Sequence, residues 1–337
     1  MKQTRTPIFH RIPVIDVGPL FGADESSAHA IAAAIRDAST TTGFFYVRGH
    51  NVSADLIDAM HMAAKYFFAL PDERKRAITI NPASAHRGYV PTAQTKQPGT
   101  KRADLKESFN FAFPFTPDHP AMASGHPLIG INQWPSGEDA WRRVVERYYA
   151  AVFELGQRLL GAFALSLGLH RDFFRDMYRY PLVRTRMLYY PPQTESPDDG
   201  QFGAGAHTDY GTITLLWQDD VGGLQVRNRN GEWIDAPPID NAFVINIGDM
   251  LEIWSNNLFV STPHRVVNAS GRRRYSIATF FDPDYDVKVE CLPNCSSADN
   301  PPRHAPLVAG DYIMSRYDNT YAYRQPTKSW EEQPAGS

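Results

Sequence analysis

The residues best suited to chemistry fall in two short segments. The first, Gly205-Ala206-His207-Thr208-Asp209-Tyr210-Gly211, sets an imidazole and a carboxylate two positions apart. In an extended strand such residues point to the same side. They share parity with Ile213, Leu215 and Trp217, so this reading faces them inward unless a bulge near Gly211 resets the phase. Alone, a His-x-Asp pair is most simply a hydrogen-bonded couple at a strand end. A metal ion would give both groups a reason to face the interior.

Fifty-seven positions after His207 comes His264-Arg265-Val266-Val267, then the turn-like Asn268-Ala269-Ser270-Gly271, then Arg274-Tyr275-Ser276. A hairpin centred near Ala269 or Ser270 sets Ser276 approximately opposite His264, with Arg274 on the same face. An inward guanidinium needs an anion to offset its desolvation, and no acidic residue in the sequence is assigned to it. A small-molecule carboxylate fits, because Arg binds carboxylates bidentately and Ser adds a donor. Two histidines and one carboxylate on one side of a metal leave the opposite positions open, the ligand pattern of non-haem Fe(II) oxygenases. A structural zinc would need a fourth protein ligand, and Cys291 and Cys295 lie away from these segments.

The elements that must position these groups are mixed. The chain has 337 residues, 42% hydrophobic and 21% charged, with 26 prolines that argue against a helical bundle. Short strands are expected at Val14 to Val17 and Gly43 to Arg48. Amphipathic helices are expected from Ala28 to Thr40, capped by Ser26 or Ser27, and from Ala54 to Phe68, stopped by Pro71. Residues 81–135 read as irregular apart from a strand around Ser108 to Phe113, and a long helix follows over Gly137 to Leu167. Beyond Pro181 come short strands: Leu182 to Tyr190, His207 to Trp217, Leu224 to Arg227, Glu232 to Asp235, Ala242 to Ile247, Ser261 to Val267, Arg274 to Phe281 and Asp286 to Glu290. Asn230-Gly231 marks a hairpin, and a last helix is expected over Asp311 to Tyr323. The fold class is thus mixed α/β with an all-β jelly-roll core wrapped by helices. It divides into a mixed region 1–180, a core 181–290 and a helical extension 291–337, all within one unit of 1–337.

The sequence resembles the isopenicillin N synthase-like branch of the Fe(II)- and 2-oxoglutarate-dependent dioxygenases. The resemblance covers most of the chain: Ile12-Pro13-Val14-Ile15-Asp16, Gly43-Phe44-Phe45-Tyr46-Val47 with His50, Tyr189-Tyr190-Pro191-Pro192, His207-Thr208-Asp209, Gly222-Gly223-Leu224-Gln225-Val226, Asn246-Ile247-Gly248-Asp249, Ser255-Asn256-Asn257, His264-Arg265-Val266 and Arg274-Tyr275-Ser276. It implies a double-stranded β-helix in which His207, Asp209 and His264 hold Fe(II), Arg274 and Ser276 hold the distal carboxylate of 2-oxoglutarate, and Tyr190 reaches the same carboxylate. It also implies O2 as co-reactant and hydroxylation, desaturation or cyclisation of a small organic molecule, with release of succinate and CO2. Leu188 stands where family members commonly have Asn, and Arg186, on the same strand face, offers a replacement donor. Some members use the Arg-x-Ser pair for the substrate's own carboxylate, so a 2-oxoglutarate-independent oxidase and a non-catalytic jelly-roll binding protein stay as alternatives.

Pocket candidates are Tyr210, beside Asp209; Phe281, with Phe280, after the Arg-x-Ser strand; Phe109, with Arg87, Tyr89 and Phe111, in the irregular region; and Arg186. Cys291 and Cys295 read as spare thiols that suit a reducing compartment, the cytoplasm. The formal charge of −3 offers no general attraction for nucleic acid. No apolar stretch is long enough to span a membrane, and Met1 to Asp16 lacks a secretory pattern. The expected partner is a small-molecule substrate, with no nucleic acid, membrane or protein partner.

Overall fold

Period-two and period-3.6 hydrophobic spacing resolve into two sheets and a helical layer in the computed structural model, which describes residues 8–22, 24–193 and 202–324. The strands are β1 (Val14–Asp16), β2 (Phe44–Arg48), β3 (Gly88–Val90), β4 (Glu107–Ala112), β5 (Arg184–Tyr190), β6 (Ala204–His207), β7 (Ile213–Gln218), β8 (Leu224–Arg227), β9 (Trp233–Asp235), β10 (Phe243–Ile247), β11 (His264–Val266) and β12 (Arg274–Phe281), with a small separate pair β13 (Lys288–Val289) and β14 (Leu307–Val308). An eight-stranded sheet runs β1-β2-β10-β7-β12-β5-β4-β3, and a four-stranded sheet runs β6-β11-β8-β9. Leu188, Tyr190, Val226, Val244, Val266 and Ala278 pack between them, the interior of a jelly roll.

The helices are α1 (Glu25–Thr41), α2 (Ala54–Ala69), α3 (Asp72–Arg76), α4 (Asp139–Ser166), α5 (Asp249–Trp254) and α6 (Ala309–Thr320). The predicted stripe of α4, with Val145, Tyr148, Val152, Leu155 and Leu159 all buried, packs with α1 and α2 into a core that covers the outer face of the large sheet. The α1 cap is Asp24, just ahead of the serines expected to serve: its carboxylate accepts from the Ser26 and Ser27 amides at 3.1 and 3.3 Å. Three-residue β3 is too short to show alternation, which is why residues 81–135 read as having one strand. The final part of the C-terminal extension, 325–337, lies outside the described residues. No helix among the described residues is long and apolar enough to cross a membrane.

Two strand-level expectations change, both because a jelly roll passes the chain from sheet to sheet. The run His207 to Trp217 is two strands: residues 208–212 turn from β6 in the small sheet to β7 in the large one. The phase resets there, so Ile213 and Leu215 face the helices, whereas Leu216 packs between the sheets. The segment 264–276 is likewise no hairpin. β11 pairs with β6 and β8, with His264 opposite His207 and Val226, while β12 pairs with β5 and β7, with Ser276 opposite Leu188 and Gln218.

Candidate metal and cosubstrate site

β6 and β11 bring His207 and His264 into register as direct cross-strand partners, and the turn after β6 returns Asp209 beside them. One nitrogen from each imidazole and one carboxylate oxygen of Asp209 all lie within 4.8 Å of one another. Each ring's orientation is fixed from behind: Nδ1 of His207 lies 2.7 Å from the Gly205 carbonyl, and Nδ1 of His264 lies 3.2 Å from that of Thr262. A proton on each Nδ1 then leaves both Nε2 lone pairs turned toward Asp209 Oδ1, at 3.9 and 3.8 Å. Burial, reinforced by the neighbouring His264, pushes the His207 imidazole below its usual pKa and favours the neutral, ligating form.

Asp209 is prepared from the other side. Thr214 Oγ1 and Asn246 Nδ2 donate to its Oδ2 at 2.5 and 2.6 Å, leaving Oδ1 free. Burial opposes ionisation, but the two imidazoles and these hydrogen bonds outweigh it and hold the carboxyl below its ordinary range. Its backbone is clamped as well, since the Asp209 carbonyl accepts from the Asp249 amide at 2.8 Å, at the start of α5. That approach needs Gly248: a Cβ there would stand 2.2 Å from the Gly211 carbonyl oxygen. Two imidazoles and one carboxylate, each held from behind, are a donor set that fits Fe(II).

Arg274 is fully buried between the sheets, with Ser276 beside it at 1% exposure. Its guanidinium donates to the Gly222 carbonyl, to Gln218 Oε1 at 3.2 Å and to Ser276 Oγ at 3.3 Å, with the Tyr190 ring 4.7 Å away. All these partners are neutral, and no carboxylate pairs with it among the described residues. Leu188 packs in the same inter-sheet cluster, facing Ser276 across the ladder. Arg186 shares that face but reaches away, donating to Asn110 Oδ1 at 3.0 Å and Tyr321 OH at 2.6 Å.

A cavity opens beside His207 and Asp209, walled by Lys106, Arg184, Arg186, Tyr210, Phe280, Asp282, Tyr317, Thr320 and Tyr321 among others. Tyr210 and Arg186 are therefore on its wall. Phe281 and Phe109 are not, which corrects that part of the expectation. Phe281 points to the helical layer, 5.6 Å from the Phe153 ring, because β12 alternates and Phe280 takes the inward position with Arg274 and Ser276. Phe109 is sealed 4.6 Å from Phe67 and 5.7 Å from Trp141. Arg87, also fully buried, donates to Asn132 and the Phe113 carbonyl. Sequence reading misses Thr214, Asn246 and Gln218 as supports, and Lys106, Arg184, Asp282, Tyr317 and Tyr321 as wall.

Two family models match the chain, one described as "non-haem dioxygenase in morphine synthesis N-terminal" over residues 12–137, the other as "2OG-Fe(II) oxygenase superfamily" over residues 182–283. Over 322 residues the chain is 37% identical to the 2-oxoglutarate-Fe(II) type oxidoreductase hxnY of Emericella nidulans, covering 94% of this chain and 92% of that one. It is 34% identical over 322 residues to the homoarginine-6-hydroxylase 2-ODD-233 of rice, Oryza sativa, covering 91% and 97%. The crystal structure of a full-length Neurospora crassa protein in complex with alpha-KG and thymine superposes with a TM-score of 0.80 at 30% identity, covering 90% of this chain and 96% of that one. By sequence, by fold and by the His/Asp/His cluster at its centre, the chain belongs to the 2OG-Fe(II) oxygenase superfamily, in its isopenicillin N synthase-like branch, and is an Fe(II)- and 2-oxoglutarate-dependent dioxygenase.

Proposed function

We propose that His207, Asp209 and His264 hold the Fe(II), that Arg274 and Ser276 bind the distal carboxylate of 2-oxoglutarate against the Tyr190 ring, and that a small organic substrate occupies the cavity walled by Tyr210, Arg186 and Phe280. The observation that carries this is the convergence of three ligand atoms within 4.8 Å, in the same interior as a fully buried arginine that has only neutral partners. When bound, Fe(II) and 2-oxoglutarate supply O2 activation and C–H oxidation, the cosubstrate leaving as succinate and CO2. The protein's part is positioning and exclusion of water. Arg274 offers a desolvated positive charge that a carboxylate can pair with, and the apolar inter-sheet packing around Leu188 and Ala278 keeps that pairing dry. Small-molecule binding is supported by the relative crystallised with thymine.

We further infer that residues 1–337 act as one oxygenase unit, with 181–290 as the catalytic core. The core that spans Ile15 to Tyr321 supports this, because it joins the N-terminal helices, the large sheet and the C-terminal helix. Free thiols at Cys291 and Cys295 support a cytoplasmic setting. The assignment is tested by succinate release in the presence of Fe(II), 2-oxoglutarate and O2. His207→Ala should abolish it, and undiminished release in that variant would overturn the metal assignment.

A further inference from the structure

Three cations line the cavity: Lys106, Arg184 and Arg186. Lys106 is paired with Asp104 at 2.8 Å and Arg184 with Asp282 at 2.7 Å. Arg186 is held by neutral groups, Asn110 and the Tyr321 hydroxyl, with the Phe280 and Tyr321 ring centroids 5.1 and 5.9 Å from its guanidinium carbon. Among the described residues no carboxylate pairs with it. At the centre, a divalent ion, the Asp209 carboxylate, the two carboxylates of 2-oxoglutarate and Arg274 balance one another in charge. The positive charge of Arg186 is left over in a half-buried wall, where an unpaired charge is costly.

Position separates this cation from the cosubstrate. In the β5–β12 ladder Arg274 lies opposite Tyr190, and Arg186 lies opposite Ala278. The two arginines therefore sit four ladder steps apart on one face, roughly 13 Å at the strand rise. A five-carbon dicarboxylate anchored at Arg274 and directed to the metal ligands does not extend to Arg186.

Unused hydrogen-bonding groups surround the same place. The hydroxyl of Tyr317, a cavity-lining residue of α6 at 1% exposure, has no partner among the described residues; nor does Nδ2 of Asn110, whose Oδ1 steadies Arg186. Both can donate. Asp282 Oδ1 is also unpartnered, but it is pressed against the chain at Gly211, where an added Cβ would stand 1.7 Å from it. The rest of the wall is mixed, with the rings of Tyr210, Phe280 and Tyr321 beside the polar Thr95, Gln97 and Thr320.

Resting on the iron and cosubstrate assignment above, we propose that Arg186 is the substrate anchor, and that the enzyme oxidises a small carboxylate with an apolar or aromatic body, its carboxylate paired with Arg186 and its chain directed to His207 and Asp209. The replacement for the missing Asn at position 188 is thus not what Arg186 provides; it makes a second anion site.

The test uses full-length protein loaded with Mn(II) and 2-oxoglutarate, titrated calorimetrically with benzoate and phenylacetate and with the primary amides of the same two acids. The carboxylates should bind about tenfold or more tightly than the matched amides, as expected for a charge-assisted pair. Arg186→Gln should erase that preference, Arg186→Lys should keep part of it, and Tyr321→Phe, which removes one clamp on the guanidinium, should weaken it. Equal affinity of acids and amides, no binding of the acids, or a preference that survives Arg186→Gln would overturn the proposal. Titration of 2-oxoglutarate itself separates the two levels. If Arg274→Gln leaves 2-oxoglutarate affinity unchanged, the underlying cosubstrate assignment fails; if that variant weakens it while acids and amides bind alike, only the Arg186 proposal fails.

Discussion

Asn246 of β10 donates its side-chain amide to Oδ2 of Asp209 at 2.6 Å, and this leaves Oδ1 as the oxygen nearest both Nε2 atoms of His207 and His264. The contact ties one metal-facing group to a central strand of the large sheet, so the geometry of the cluster depends on a residue that need not touch the ion. Outer hydrogen bonds of this kind typically govern metal affinity by about 10- to 100-fold. Asn246→Ala should weaken Fe(II) binding by that order while the protein keeps its fold, and Thr214→Val should act in the same direction through the second hydrogen bond to Oδ2. Calorimetric titration of the metal, with circular dichroism as the fold control, checks both.

Arg274 has no charged partner of its own, so its removal should be read most clearly in cosubstrate binding. Arg274→Gln should raise the Kd for 2-oxoglutarate by about 10-fold or more, since a charge-assisted pair is replaced by a neutral one. Ser276→Ala removes a single donor, only 3.3 Å from the guanidinium, and should have a smaller effect. Equilibrium dialysis of 2-oxoglutarate against the metal-loaded variants measures the order.

Neighbouring phenylalanines of β12 should behave oppositely. Phe281 is fully buried beneath α4, where a Cβ on Gly156 would stand 1.9 Å from its ring. Phe281→Ala should therefore cost about 3–5 kcal/mol of folding stability. Phe280 lines the cavity, so Phe280→Ala should alter substrate KM with a much smaller loss of stability. Urea denaturation and steady-state kinetics on the two variants separate the roles.

Asp284 gives the metal-free protein a pH signature. Burial pushes its carboxyl up to about 6, against an ordinary 3.8, although it accepts hydrogen bonds from the Tyr180 and Arg179 amides. A raised carboxyl binds its proton more tightly in the folded state, so its contribution to stability is present below about 4 and is lost as pH rises through about 6. Asp284→Asn keeps an acceptor but does not ionise. Its stability relative to the native protein should rise between pH 4 and 6 and then level off, as read from urea midpoints across that range.

Much of the centre is legible in the sequence because ligating residue types are scarce and closely spaced. His207, Asp209 and Arg274 with Ser276 stand in short strand contexts where few readings make sense of inward polar groups. What the sequence hides is the phase. The turn over 208–212 switches sheets, and no local pattern distinguishes it from a bulge, so parity puts Thr214 and Gln218 on the wrong face and conceals their support of Asp209 and Arg274. Phe280 is different, since it shares parity with Arg274 and Ser276 and its inward place can be read from the strand alone. Lys106, Arg184, Tyr317 and Tyr321 cannot be found that way. They converge from β5, from the chain just before β4 and from the C-terminal helix region, separations at which spacing carries no information.

The central claim is that His207, Asp209 and His264 present Fe(II) to a 2-oxoglutarate held by Arg274. Anaerobic addition of 2-oxoglutarate to the Fe(II)-loaded protein tests it most directly, by the visible metal-to-ligand charge-transfer absorption that appears when the cosubstrate chelates the metal. The native protein should develop the band, Asp209→Ala should not, and Arg274→Gln should require a higher 2-oxoglutarate concentration to reach it. A native protein that binds Fe(II) yet shows no band, or a full band in Asp209→Ala, would contradict the account.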